Sequence, residues 1–139
     1  LSIGLLFHWS KIYAQNVDNI NQMDVRMGRW VEANLSQGVV LAVSDVGAIA
    51  FYSGRTIIDT DGLVTSEIIP FLRGMGREQG VFQYLFQRKP DFVIAFYNEF
   101  RFLTTRTEIF EPIYSLRVTE NTILGGDRMV VYRAHWLSN

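Results

Sequence analysis

Asp59-Thr60-Asp61 sets two carboxylates one residue apart at the end of a short apolar run. That spacing suits a shared hard divalent ion bridged to a diphosphate, as in metal-dependent nucleotide-sugar transferases. Asp45 closes an earlier apolar run in the same manner, and each aspartate is soon followed by glycine, Gly47 and Gly62. A strand ending in Asp and turning at Gly delivers its carboxylate to one edge of a parallel sheet, where open α/β sheets bind ligands. In the functional reading Asp45, Asp59 and Arg55 hold the hydroxyls of a sugar or a polar headgroup. In the structural reading Asp45 caps a short helix starting near Gly47, and Asp59 accepts hydrogen bonds from the backbone of the Gly62 turn. A second cluster follows a later apolar run: Tyr97, Asn98, Glu99 and Arg101 could line a saccharide or lipid-phosphate site, the ring stacking and the guanidinium pairing with phosphate.

Other chemistries find little support. There is no cysteine, which removes disulfides, thiolate nucleophiles and sulfur-held metals. His8 and His135 stand at opposite ends of the chain with no metal-ligand spacing, and no Gly-x-Ser-x-Gly elbow is present. There is no Walker loop, and Gly74-Met75-Gly76 does not follow a strand, so it is no dinucleotide fingerprint. A net charge of −1 supplies no field to gather nucleic acid. No catalytic residue, metal or cofactor is assigned; Asp59 and Asp61 are the only candidate metal pair.

The elements that position these residues follow from hydrophobic patterning. Ile20, Met23, Met27, Trp30, Val31 and Leu35 recur at helical spacing, which predicts a helix over 17–35 capped by Asp18 and stopped at Gly38. Val39 to Val43 is a continuous apolar run of strand length, fit for a sheet covered on both faces. A short helix over 47–52 and a second strand over Thr56 to Asp59 come next. Helices over 66–74 and 78–88 break around Gly74-Met75-Gly76, and Pro90 ends the second. Phe92 to Phe96 reads as the third strand. Pro112 to Glu120 and Arg128 to Trp136 form a hairpin turned at Gly125-Gly126-Asp127. Alternating helices and strands predict an α/β fold, a three-layer sandwich whose short, mostly parallel sheet is extended by a C-terminal antiparallel hairpin. Residues 17–139 form a single α/β domain. Leu1 to Trp9 is an apolar run too short to span a bilayer, so 1–16 reads as the end of a membrane-anchoring or N-terminal helix, with Trp9, Lys11 and Tyr13 at the interface.

The run Val43 to Val64, with Asp45-Val46-Gly47-Ala48-Ile49-Ala50-Phe51-Tyr52-Ser53-Gly54-Arg55 and Ile57-Ile58-Asp59-Thr60-Asp61-Gly62-Leu63-Val64, resembles the C-terminal extracytoplasmic part of bacterial polytopic-membrane glycosyltransferases. These are enzymes of the protein-mannosyltransferase and lipid-A-arabinosyltransferase type. The likeness covers about residues 17 to 70, and the position matching Asp61 is usually not acidic in that family. The resemblance implies an extracytoplasmic, periplasmic domain of a polyprenyl-phosphate-sugar-dependent transferase. The family's catalytic acid and donor site lie elsewhere, so this chain would be non-catalytic alone, packing on the membrane part or positioning the acceptor. The alternative is a membrane-anchored accessory or docking subunit of a larger membrane complex. Either way the expected partners are the membrane, through the N-terminal segment, and other membrane-protein segments.

Overall fold

The computed structural model describes residues 2–136. Helix α1 (Ser2–Ile20) passes without a break at residue 16 through a π-turn (Asn21–Val25) into α2 (Arg26–Asn34). The helix expected from residue 17 therefore begins much earlier, and Asp18 is not its cap. Asp18 sits mid-helix and accepts a hydrogen bond from Gln22 one turn on.

Among the described residues there are five strands, with β1 (Val40–Val43), β2 (Thr56–Asp59) and β3 (Phe92–Phe96) on the expected apolar runs. Next come β4 (Phe110–Arg117), which starts and ends earlier than the expected Pro112 to Glu120, and β5 (Arg128–Ala134), which stops short of Trp136. They form one sheet in the order β2-β1-β3-β5-β4. β1 runs parallel to β2 and β3, while β5 is antiparallel to both β3 and β4. The hairpin thus docks through its second strand. Pro112, which has no N–H to donate, is tolerated on the edge strand β4, where the register shifts between Pro112 and Tyr114.

Between the strands lie α3 (Val46–Ser53), α4 (Ile69–Met75), α5 (Arg77–Arg88) and α6 (Arg101–Thr105). A helix layer covers each face, giving the three-layer α/β sandwich. On one face Met23, Met27, Val31 and Ile49 pack on Leu41, Val43, Ile94 and Val131. On the other, Val81, Leu85, Phe100 and Phe102 pack on Ala42, Ile58, Val93 and Val130. β-strand side chains alternate between faces, so the all-apolar strands β1 and β3 need both layers. Gly28 lets α2 approach α3 closely, since a Cβ there would lie 2.8 Å from Cβ of Tyr52.

The chain leaves β1 for β2 on one side and returns to β3 on the other. The loops after β1 and β3 therefore part at the carboxyl edge of the sheet. That is a topological switch point, which in open α/β sheets opens a crevice.

α2 runs antiparallel to β1 and ends at the amino edge of the sheet, so α1 projects past the carboxyl edge. Asn19 ties α1 there: its side chain donates to the Glu120 carbonyl at 2.8 Å and accepts from the Thr122 N–H at 2.8 Å. At 1.5 Å per residue the segment before Ala14 extends about 20 Å further. It exposes Ile3, Leu5, Leu6, Phe7 and Trp9, Phe7 by 72%. Among the described residues no helix is long and apolar enough to cross a membrane.

Candidate functional site

A cleft of about 760 Å³ opens at the switch point. Ser44 and Asp45 after β1, Asp61 and Leu63 after β2, and Tyr97 and Asn98 after β3 form three of its sides. The fourth is the β4–β5 hairpin, with Arg117 opposite Arg128 in the ladder and Gly125, Gly126 and Asp127 at the turn. The two glycines pack against the Phe96 side chain. A Cβ on Gly125 would come within 2.8 Å of that ring, so a side chain there would have to displace it.

One wall carries an internal ion pair in which a single guanidinium serves two carboxylates. Arg77, at the start of α5, donates to Asp61 Oδ1 at 2.7 Å and to Glu99 Oε1, and its guanidinium lies 4.5 Å from the centre of the Phe100 ring. Glu99 also accepts the Phe96 N–H at 3.1 Å. This arginine straps the loop after β2 to the loop after β3.

The facing wall differs. Among the described residues Arg117 and Arg128 form no ion pair. Arg128 stacks on Tyr97, 4.7 Å from its ring centre, and Tyr97 is 41% exposed. Asp45 has no side-chain cap bond although it holds the N-cap position of α3. Its pKa is raised, first by burial and then by Glu99 and Asp61. The cleft therefore offers two guanidinium groups outside any ion pair, an exposed ring, and the side chains of Asp45, Asn98 and Asp127. Four carboxylates, Asp45, Asp61, Glu99 and Asp127, line it against three arginines, so an anion would be met at the Arg117–Arg128 wall, beside groups that suit hydroxyls.

The residues singled out in the sequence separate. Asp45, Tyr97 and Asn98 meet in the cleft. Asp59 does not: it is fully buried, and its two oxygens accept the N–H groups of Asp61 at 2.9 Å and Val64 at 2.8 Å. This is the turn-fixing role, and it leaves Asp59 no free oxygen pair for a metal shared with Asp61, which is committed to Arg77. Among the described residues no group of three or more His, Asp or Glu side chains is set to hold a metal ion.

Arg55 is a correction. It precedes β2 at the opposite edge, where its guanidinium donates to the carbonyls of Glu32, Leu35, Ser36 and Ser53 and closes the end of α2. Arg101 begins α6 and lies outside the cleft lining. The capping expected of Asp45 is likewise absent. Patterning missed Arg77, Arg117 and Arg128, which reach the cleft only through the tertiary arrangement; the turn signal Gly125-Gly126-Asp127 was the one local pointer.

Residues 12–135 match the family model described as Domain of unknown function (DUF8728). The chain belongs to the DUF8728 family. The matched span takes in every strand and all four sides of the cleft, so the whole sandwich is the DUF8728 unit. No curated protein and no solved structure matches the chain.

Proposed function

We propose that this chain is an extracytoplasmic domain of a membrane-embedded, polyprenyl-phosphate-sugar-dependent glycosyltransferase, and that its cleft holds a phosphorylated saccharide or lipid-phosphate headgroup. The observation that carries this reading is that the cleft and the projecting apolar helix share one edge of the sheet. Arg117 and Arg128 supply charge for a phosphate, Tyr97 a face for a sugar ring, and Asn98 and Asp127 partners for hydroxyls. Leu63, 80% exposed at the rim, and the exposed side chains of α1 suit an edge that faces lipid. The resemblance of Val43 to Val64 to the extracytoplasmic part of such transferases points the same way.

In this reading the domain binds or positions and performs no chemistry alone, because the resemblance puts the catalytic acid and donor site elsewhere in the transferase. A second reading, a membrane-anchored accessory subunit, is favoured by the exposed apolar turns of α1, which serve an anchor equally well.

Thermal melts of the whole chain with a short-chain, water-soluble prenyl phosphate test the reading. Saturable protection that disappears in the Arg117→Ala/Arg128→Ala double variant is expected. No protection at any concentration would remove the headgroup site. Turnover by the isolated chain, given a polyprenyl-phosphate sugar and an acceptor, would overturn the non-catalytic role.

A further inference from the structure

Behind Asp45 lies a second, smaller cavity of about 300 Å³, between the π-turn and the start of α3. Asp24 and Asp45 enter it from two different elements, and its remaining lining is Ile20, Gly47, Ala48, Ile123 and Leu124. Asp24 is only 3% exposed, yet its Oδ1 is buried without any hydrogen-bond partner. A buried, unpaired carboxylate oxygen is costly unless a proton or a cation meets it. Asp24 also belongs to the π-turn, a rare local geometry found most often at functional sites.

We propose that this cavity binds a compact organic monocation, an alkylammonium or guanidinium group, with Asp24 and Asp45 as its counter-charges. The chemistry of the walls selects this class. A divalent ion such as calcium takes six to eight oxygen ligands, and beyond two carboxylates the lining here is aliphatic or bare backbone. An alkylammonium satisfies both needs: its head donates to the two carboxylates, and its carbon body packs on Ile20, Ile123 and Leu124. No basic side chain lines the cavity to compete for the acids. Asp45 lines this cavity and the main cleft alike, so an occupant here stands directly behind the cleft wall.

The site can be closed without touching either acid. A Cβ built on Gly47 meets nothing within 4 Å, and its φ is not in the left-handed region, so Gly47→Leu grows into open space at the cavity's edge.

The experiment is a titration of the whole chain at about pH 8.5, where Asp24 is ionised, with n-butylammonium and with methylguanidinium, at constant ionic strength set by sodium chloride, read by chemical-shift perturbation and thermal melting. Saturable perturbation at the π-turn and the first turn of α3 is expected. Asp24→Asn and Asp45→Asn should each weaken it at least tenfold, and Gly47→Leu should abolish it while leaving the chain folded. Equal responses to sodium and to the organic cations would overturn the proposal, as would tighter binding of calcium. Retained binding in Gly47→Leu, with Asp24→Asn folded and unaffected, would overturn it too.

Discussion

Arg128 meets Tyr97 twice: its carbonyl accepts the Tyr97 N–H at 2.9 Å, and its guanidinium lies 4.7 Å from the centre of the Tyr97 ring. Backbone and side chain together lock the last strand to the loop that leaves β3. The ring is held with one face on an arginine and with much of its surface still exposed, a ready platform for a ligand that carries both a phosphate and a sugar. Replacing Tyr97 by Ala should weaken binding of a prenyl-phosphate sugar by about tenfold, near 1.4 kcal/mol, and Phe should restore most of it. Titration calorimetry on the two variants reads the difference.

Asp59 is a structural carboxylate. Its two backbone hydrogen bonds are made by a fully buried side chain. Asp59→Ala should cost about 2–3 kcal/mol, and Asp59→Asn, which keeps one acceptor, roughly half that. Urea melts at neutral pH give both values. Manganese or magnesium should change neither midpoint.

Arg55 should behave as a clamp on the end of α2. Its fork meets four carbonyls, a geometry that the point charge of a lysine cannot reproduce. Arg55→Lys should cost about 1–2 kcal/mol and Arg55→Ala somewhat more, with ligand binding in the cleft unchanged. Loss of binding at unchanged stability would return Arg55 to a ligand role.

Asp24 makes stability depend on pH with an unusual sign. Burial first, and then the charge of Asp45, push its pKa up to about 7, whereas the unfolded chain keeps the ordinary carboxyl value, 3.8. Between these values the native state holds a proton that the unfolded state has lost. The contribution is therefore present in acid and is lost as pH rises through about 7. Asp24→Asn, neutral at every pH, should match the wild type near pH 4 and exceed it near pH 8 by up to about 4 kcal/mol. Parallel pH-dependent melts of the two proteins check it.

Much of the architecture was legible in the chain. β2 and β3 fall on the expected residues because each apolar run is sharply bounded, β2 by Gly54 and Asp59 and β3 by Pro90 and Tyr97. The turn-fixing role of Asp59 was one of two readings the chain allowed, and the same pattern at Asp45 gives no cap, so only the tertiary arrangement separates them. Arg77 was not legible, because its partners, Asp61 and Glu99, belong to two other loops brought together only by the sheet order. Asp24 left no trace in the pattern either. It follows Met23 within a helical repeat, and only the wider π-turn packed beside α3 buries it. The start of the first helix was misplaced because the apolar N-terminal run reads as a separate segment, whereas its backbone continues unbroken into the amphipathic part.

In the proposed function, the edge bearing the cleft and α1 meets lipid and recognises a phosphate there. Flotation of the whole chain with phosphatidylcholine vesicles, with and without a polyprenyl phosphate, tests it most directly. Weak binding to plain vesicles through α1 is expected, with a marked gain when the polyprenyl phosphate is present and loss of that gain alone in Arg117→Ala/Arg128→Ala. Equal binding to both kinds of vesicle, or a gain that survives in a folded double variant, would contradict it.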